Sequence, residues 1–194
     1  MATMNTWNGI LFRWLGAGYA PGPHLLAAAR WMAVYLIAGV PITLVLLWWR
    51  RPGSRETLLT AMASGGLALA ATEVIAAAMA VPRPFMAGLS PVYLAHSAEG
   101  SFPSAHASFM LAVAGTLLLS QATRPWGAGL AVFALATAWA RVYLGLHFPL
   151  DILGSILLAT VIVAALGSRA RGLRWLGRLG GGSGDNGNSI PKVI

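Results

Sequence analysis

Residues 150–167 read LDILGSILLATVIVAALG, a run of 18 residues in which Asp151 is the single charged side chain. A helix needs about 20 mostly apolar residues to cross roughly 30 Å of hydrocarbon, so this stretch has the composition of a transmembrane helix. Four earlier stretches have the same character, at 31–49, 57–80, 104–121 and 127–143. The sequence therefore predicts an all-α, polytopic membrane helix bundle with about five transmembrane helices.

The composition of the whole chain agrees with a membrane protein. Of the 194 residues, 57% are hydrophobic and 9% are charged, and the mean hydropathy is +0.70. A soluble domain carries about 25% charged residues, so a water-soluble enzyme and a disordered chain are both excluded. Cysteine is absent, which excludes a disulfide framework and a thiolate nucleophile.

The two ends of the chain differ from the spans. Residues 5–22 are apolar but contain glycine, proline and Arg13, and we interpret them as an interfacial segment, with a sixth span as the alternative. No removable signal peptide is evident. Residues 168–179 predict a basic interfacial helix that completes a single membrane domain over 1–179. Residues 180–194 predict a flexible tail, because their glycine-rich start has little apolar area to bury.

The basic residues predict the orientation in the membrane. The chain has 13 Lys and Arg against 5 Asp and Glu, a formal charge of +8. Nine of the basic residues fall on one side of the predicted spans: Arg50, Arg51, Arg55, Arg124, Arg169, Arg171, Arg174, Arg178 and Lys192. Basic loops stay cytoplasmic, so we expect a protein of the cytoplasmic membrane whose other loops face outside. Topology and anionic lipids account for the charge, and no nucleic-acid partner is expected.

Polar residues concentrate at the two predicted outer loops, one at about 81–103 and one between the fourth and fifth spans. They are Arg83, His96, Glu99, Ser104, His106, Arg141, His147 and Asp151. Antiparallel spans place both loops at the same membrane surface. The guanidinium group of arginine has a fixed fork of donors that matches phosphate oxygens. The Phe-Pro-Ser-Ala-His stretch at 102–106 predicts a helix start with free N–H groups, and the Ser104 hydroxyl adds a donor. These features predict a phosphate site at the outer surface.

The second loop has the spacing of a nucleophile and its supporting acid. Asp151 lies four residues after His147, and Pro149 between them predicts a helix start. We expect the carboxylate to accept a hydrogen bond from one ring nitrogen of His147, which would raise the basicity of the other nitrogen. His106 is then available as a general acid.

Three groups of residues resemble the signatures of the type 2 phosphatidic acid phosphatase (PAP2) superfamily. They are Arg83-Pro84, then Pro103-Ser104-Ala105-His106, then Arg141 followed after five residues by His147 and after three more by Asp151. The sequence RPF, sixteen residues and then FPS-x-H is most similar to bacterial undecaprenyl-diphosphate phosphatases linked to bacitracin resistance.

The resemblance implies an enzyme that needs no metal and no cofactor. It implies that undecaprenyl diphosphate is hydrolysed to undecaprenyl phosphate and phosphate through a phosphohistidine, which recycles the lipid carrier for peptidoglycan and other cell-envelope polymers. His147 would attack phosphorus, Asp151 would orient it, and His106 would protonate the leaving lipid phosphate and later activate water. The phosphoryl oxygens would be held by Arg83, Arg141, Ser104 and the backbone N–H near Ala105.

The sequence departs from the superfamily pattern at three positions. Ala76 stands where the broader superfamily has a lysine, seven residues before Arg83. Ala105 replaces a glycine, which requires ordinary helical dihedrals at that residue. Ala140 replaces a serine before Arg141 and removes one possible phosphate donor.

Three further polar residues have two interpretations each. His96 either contacts the substrate or faces solvent, and Glu99 either contacts the diphosphate site or caps the loop. Glu73 lies in the second span, ten residues before Arg83, which in a continuous helix places it about 15 Å deeper. An ionisable residue at that depth suggests a role in proton balance or in placing the lipid chain. The alternative is a hydrogen-bonded carboxyl among Ser64, Thr72 and Thr137.

Two other functions stay open from the sequence. One is a PAP2-type phosphatase or phosphotransferase that acts on lipid A or phosphatidylglycerophosphate. The other is a membrane protein that binds lipid without catalysis. The expected partners are a polyprenyl diphosphate and the membrane lipids, and the sequence does not indicate the oligomeric state.

Overall fold

The computed structural model describes residues 6–96 and 100–180, with side chains described over 7–96 and 100–168. Within these ranges the regular structure is helical, which confirms the predicted all-α class. The helices are α1 (Thr6–Leu15), α2 (Pro23–Tyr35), α3 (Gly39–Arg50), α4 (Arg55–Met79), α5 (Ala105–Leu118), α6 (Arg124–Tyr143) and α7 (Pro149–Gly180). Short 3₁₀ segments, Leu36–Ala38 and Pro52–Ser54, join α2 to α3 and α3 to α4.

Among the described residues, three helical stretches are long and apolar enough to cross a membrane: Pro23–Arg50, Pro52–Met79 and Pro149–Ser168. The first begins eight residues before the predicted span at 31–49, because Pro23 occupies the first turn of α2, where a missing N–H has no cost. Helix α5 is apolar but has 14 residues, four fewer than the predicted span at 104–121. The total of five spans stays a prediction.

The outer surfaces of the helices are apolar. Val74, Val132 and Leu157 expose 70%, 65% and 66% of their surface in the isolated chain. Large apolar side chains at this exposure need a nonpolar environment, which the hydrocarbon of a bilayer supplies. The exposed faces therefore fit a membrane protein.

Helix α5 lies at the centre of the bundle and packs against α4, α6 and α7. Small residues allow close approach: Ala68, Ala112 and Ala159 form a buried cluster where α4, α5 and α7 meet. A Cβ atom at Gly65 would lie 2.8 Å from the Phe109 ring. The abundance of glycine and alanine in α4 thus serves close helix packing.

The two ends of the chain differ in part from the expectations. Helix α1 falls within the predicted interfacial segment and packs against α6 and α7. The separate helix predicted at 168–179 is wrong, because α7 continues without a break from Pro149 to Gly180. Nearly all of the predicted tail at 180–194 lies outside the described residues.

The order of the helices brings the polar loops together. The C-terminal ends of α4 and α6 and the N-terminal ends of α5 and α7 lie at the same end of the bundle. The segment between α4 and α5 therefore meets the five-residue turn between α6 and α7, and the candidate site lies between them.

Candidate active site

A tight turn carries His147 between two helices. Helix α6 ends at Tyr143, and Gly145 has a φ of +76°, a conformation that favours glycine. The N–H of Leu146 donates to the Arg141 carbonyl at 2.9 Å, which closes the helix end. Because α7 begins at Pro149, the spacing from Arg141 to Asp151 runs from the last turn of one helix to the first turn of the next.

The His147 ring is buried and its tautomer is determined by its neighbours. Its Nδ1 atom lies 2.8 Å from the Ser101 carbonyl oxygen, which can only accept, so Nδ1 carries the proton. Its Nε2 atom lies 3.4 Å from an Arg83 Nη atom and accepts from it. Nε2, the ring nitrogen that faces Arg83, therefore carries the lone pair.

Asp151 forms a hydrogen bond with the backbone of the turn and not with the His147 ring. Its Oδ2 atom accepts the N–H of Phe148 at 2.7 Å and lies 3.6 Å from His147 Nδ1. The second distance is too long for a hydrogen bond. The predicted direct hydrogen bond between Asp151 and His147 is therefore wrong, since Ser101 takes that position. The carboxylate instead caps the start of α7 at Phe148 and adds negative charge beside the ring.

Both predicted arginines are buried at the site. Arg83 is 5% exposed and donates to the carbonyl oxygens of Leu146 at 3.1 Å and Gly100 at 3.3 Å. Arg141 is 3% exposed and donates to His96 Nε2 at 2.6 Å. Its Nε atom is buried and has no hydrogen-bond partner among the described residues. An anion would satisfy this donor and balance the two buried charges.

The first turn of α5 brings the second predicted histidine to the same place. Helix α5 begins at Ala105, with Ser104 as its N-cap residue. Among the described non-glycine residues only Ala80 has a positive φ, so Ala105 has the ordinary dihedrals that its substitution for glycine requires. First-turn N–H groups lack intrahelical acceptors and can bind an anion.

One cavity of about 550 Å³ is lined by most of the predicted site residues, although Ser104 and Asp151 are not among its lining residues. Its walls come from α4, the loop that follows α4, the start of α5, the end of α6 and the His147 turn. They are Thr72, Glu73, Ala76, Ala77, Ala80, Val81, Pro82, Arg83, Met86, His96, Gly100, Pro103, Ala105, His106, Arg141 and His147. His106 and His147, which the sequence predicts as general acid and nucleophile, therefore line the same cavity.

Ser104 lies behind this wall. It is fully buried, and its N–H donates to the Ser155 hydroxyl at 2.9 Å. The Ser155 hydroxyl lies 2.8 Å from the Asp151 carbonyl and 3.2 Å from that of Ser104, so it links the starts of α5 and α7. The Ser104 hydroxyl has no partner in the described part of the chain, and its predicted phosphate contact stays a prediction.

The structure brings His96 and Glu73 to the cavity, whereas Glu99 lies outside the described residues. The His96 and His147 ring centroids are 6.5 Å apart. Glu73 is exposed on α4, which contradicts a carboxyl packed among neighbouring helices. Helix α4 ends at Met79, so Glu73 lies six residues, or about 9 Å, from the helix end, and its depth relative to Arg83 stays a prediction.

The environment of His147 favours its neutral form. Burial lowers the pKa of His147 well below its ordinary value of 6.5, and the charges of Arg141 and Arg83 lower it further. The hydrogen bond to the Ser101 carbonyl raises the pKa and only partly opposes these effects. A neutral ring keeps a lone pair on Nε2, which a nucleophile needs.

Sequence reasoning missed the groups that hold the site residues in place. The carbonyls of Gly100, Ser101 and Leu146 are main-chain atoms, and no residue type predicts them. Ser155 had a usable signal, because it lies four residues after Asp151 and so occupies the same face of α7.

The part of the chain that carries the site matches a known protein family. Residues 57–172 match the profile of the PAP2 superfamily. This stretch covers more than half of the chain and contains all three of the signatures described above. The chain belongs to the PAP2 superfamily.

The relatives of this PAP2 protein include proteins named undecaprenyl-diphosphatases. It is 33% identical over 152 residues to the Escherichia coli K12 protein named "Putative undecaprenyl-diphosphatase YbjG", covering 77% of this chain and 76% of the relative. It is 32% identical over 129 residues to the undecaprenyl-diphosphatase BcrC of Bacillus subtilis, covering 66% of each chain.

The fold also matches a solved structure. The PAP2-type phosphatidylglycerolphosphate phosphatase of Bacillus subtilis superposes with a TM-score of 0.64 over 88% of each chain, at 19% identity. This likeness supports the helical architecture. The family match and the relatives, rather than this structural likeness, make the chain a membrane lipid phosphatase of the PAP2 type.

Proposed function

We propose that this protein hydrolyses undecaprenyl diphosphate to undecaprenyl phosphate and inorganic phosphate through a phosphohistidine. The observation that carries the proposal is the state of His147, whose Nδ1 proton is held by Ser101 and whose Nε2 lone pair lies on the side of Arg83. The names of the relatives from Escherichia coli and Bacillus subtilis support the choice of substrate.

The first step transfers the terminal phosphoryl group to the enzyme. Nε2 of His147 attacks the terminal phosphorus, an N–P bond forms, and the bond to the bridging oxygen breaks. His106, which lines the same cavity, gives its proton to the leaving lipid phosphate. Arg83, Arg141 and the first-turn N–H groups of α5 stabilise the charge that spreads over the phosphoryl oxygens.

The second step returns the enzyme to its starting state. His106, now neutral, accepts a proton from a water molecule as that water attacks phosphorus. The N–P bond breaks, inorganic phosphate forms, and His147 recovers its Nε2 lone pair. The same histidine thus acts first as an acid and then as a base.

The small side chains of α4 give room for the lipid. Ala76, Ala77 and Ala80 line the cavity on its α4 side. An uncharged polyprenyl chain can pass between these alanines and the bilayer, because no lysine occupies position 76. The basic residues on the opposite side of the spans support a site on the outer face of the cytoplasmic membrane of a bacterium.

The test is phosphate release in detergent with excess chelator, with undecaprenyl diphosphate, phosphatidylglycerophosphate and a lipid A phosphate compared as substrates. We expect the diphosphate to be the best substrate and its turnover to persist in chelator. His147→Ala should lose activity by about 10³-fold or more, because it removes the attacking atom. Labelled phosphate should be trapped on the wild type and not on this variant.

Four results would contradict the proposal. Turnover by His147→Ala would remove the assigned nucleophile, and a requirement for magnesium would oppose the metal-independent mechanism. Transfer of label from the diphosphate to added lipid A, without release of phosphate, would identify a phosphotransferase. Lipid binding without any turnover would identify a binding protein.

A further inference from the structure

Helix α1 lies against the turn that carries His147. The Phe12 ring meets the Phe148 ring edge-on, with centroids 5.5 Å apart. Phe12 is 2% exposed and shares a buried cluster with Phe148 and Val142. Just after α1, the N–H of Ala17 donates to the Tyr143 carbonyl at 2.8 Å. The N-terminal segment therefore contacts the chain on both sides of the turn.

A side chain of α1 also caps the helix that follows the turn. The N–H of Leu150 donates to Asn8 Oδ1 at 3.2 Å. Leu150 lies in the first turn of α7, where main-chain N–H groups lack intrahelical acceptors. Pro149 has no N–H, and the Asp151 N–H donates to the Phe148 carbonyl at 3.0 Å. Asn8 thus supplies from a distant part of the chain the acceptor that an N-cap side chain usually supplies.

These contacts are separate from those that form the anion site. The described residues of α1 are absent from the walls of the 550 Å³ cavity. Arg83 and Arg141 donate to Leu146, Gly100 and His96, which lie outside α1. A change in α1 can therefore move the nucleophile without removing a group that binds phosphate.

We propose that α1 is a brace for the His147 turn and that Asn8 is a positioning residue for the reaction. The inference rests on the proposed function, because it requires Nε2 of His147 to be the attacking atom. In-line attack on phosphorus depends on the placement of Nε2, and an error of about 1 Å can cost about 10²-fold in rate. Asn8 and Phe12 limit this error by holding the start of α7 and the Phe148 ring.

The experiment measures kcat and KM for phosphate release from undecaprenyl diphosphate, at a temperature well below the Tm of every variant. We expect Asn8→Ala to lower kcat about tenfold and to leave KM within about twofold, because a cap is lost while the phosphate ligands stay. Asn8→Asp retains an acceptor oxygen and should restore most of the rate. Phe12→Leu, which keeps an apolar side chain, should lower kcat about fivefold by losing the ring contact.

The matched control is Trp14→Ala on the same helix. This side chain is 85% exposed and is not part of the buried cluster around Phe12, so its removal should leave kcat unchanged. If Asn8→Ala retains the wild-type kcat, or if Asn8→Asp stays as slow as Asn8→Ala, the positioning role is wrong. A rise in KM without a fall in kcat would also overturn it.

The reference proteins separate the two proposals. If the wild type is inactive, or if His147→Ala is active, the proposed function fails and the inference falls with it. If these references behave as expected and the Asn8 variants do not, only the inference fails.

Discussion

His147 Nδ1 donates to the main-chain carbonyl of Ser101, 46 residues earlier, at 2.8 Å. This bond joins the turn before α7 to the loop before α5, so the third signature contacts the segment that leads into the second. The acceptor is a backbone atom in a buried position, and Ser101 is fully buried. The tautomer of His147, the proposed nucleophile, therefore depends on the path of the α4–α5 loop. Asp151 has a different principal role, because it accepts the Phe148 N–H at the start of α7.

The first prediction concerns that role. Asp151→Asn keeps an oxygen that can accept the Phe148 N–H but removes the negative charge beside His147. We expect kcat to fall about tenfold, with the Tm nearly unchanged, because the cap of α7 survives.

Asp151→Ala removes the cap and the charge together. We expect kcat to fall about 10²-fold or more, and the Tm to drop by several degrees, because a cap contributes about 1 kcal/mol. Steady-state kinetics and thermal unfolding in detergent measure both effects. Equal losses in the two variants would show that the charge matters and the cap does not.

The second prediction concerns Gly145, the residue with left-handed dihedrals in the His147 turn. A side chain at Gly145 is unfavourable at φ +76°, and its Cβ would meet the Ser90 hydroxyl. Gly145→Ala should lower stability by about 1–2 kcal/mol from the backbone alone, and it should reduce activity by displacing His147.

The control for Gly145→Ala is Gly129→Ala, in α6. Nothing lies within 4 Å of a Cβ at Gly129, and alanine is favoured over glycine in a helix. This variant should unfold at the same or a higher temperature. A Gly145→Ala protein with the wild-type Tm and kcat would refute the explanation.

The third prediction concerns Ser155, which links the starts of α5 and α7. Ser155→Ala leaves the Ser104 N–H buried without an acceptor, and such a group costs about 1–3 kcal/mol. We expect Ser155→Ala to lower the Tm. Its kcat should fall less than that of Asp151→Ala, since His147 keeps its own contacts.

Thr160→Ala is the comparison for Ser155→Ala. The Thr160 hydroxyl donates to the Ile156 carbonyl on an exposed face of the same helix, so no buried group is left unpaired when it is removed. The Tm values of the two variants should differ by several degrees. Similar Tm values would show that the Ser104–Ser155 bond contributes little.

The fourth prediction concerns pH. The pKa of His147 is lowered in the folded protein, so the folded state binds this proton less readily than the unfolded state, where the pKa is near 6.5. Below pH 6.5 the unfolded chain takes up a proton that folded His147 does not. The free energy of unfolding should therefore fall as the pH falls from 6.5 towards the lower folded pKa, by at most about 1.4 kcal/mol per pH unit.

His147→Gln removes this titration. Thermal unfolding of the wild type and the variant between pH 4.5 and 7.5 measures the difference, and contributions from other histidines cancel in the comparison. The wild type should lose stability on acidification more steeply than His147→Gln. Parallel pH profiles would show that the His147 pKa is not lowered.

The helical class could be predicted from composition and from the lengths of apolar runs, because hydrocarbon imposes both on a spanning helix. The convergence of Arg83, His106, Arg141 and His147 could also be predicted. Each lies close to the end of an apolar run, and antiparallel helices bring alternate ends to the same surface. The position of Ala105 in a first helical turn could be predicted from its neighbours alone, because Pro103 and Ser104 indicate a helix start.

The boundaries of the helices could be predicted less well from the sequence. The first membrane helix begins at Pro23 because a proline can occupy a first turn at no cost. Helix α4 ends before Ala80, whose left-handed dihedrals interrupt it three residues before Arg83, so the rise of a continuous helix does not extend from Glu73 to Arg83. Propensity alone does not exclude alanine from a helix interior, so this end depends on the packing of the following loop.

By itself, the sequence determined which residue types lie at the membrane surface and in what order, because burial in lipid and short-range spacing are properties of the local chain. Only the tertiary structure decided which atom accepts the His147 proton, what Asp151 caps, and where Asn8 and Ser155 act. These are hydrogen bonds to main-chain atoms or between residues far apart in sequence, and their partners are selected by distance in the folded chain rather than by residue type.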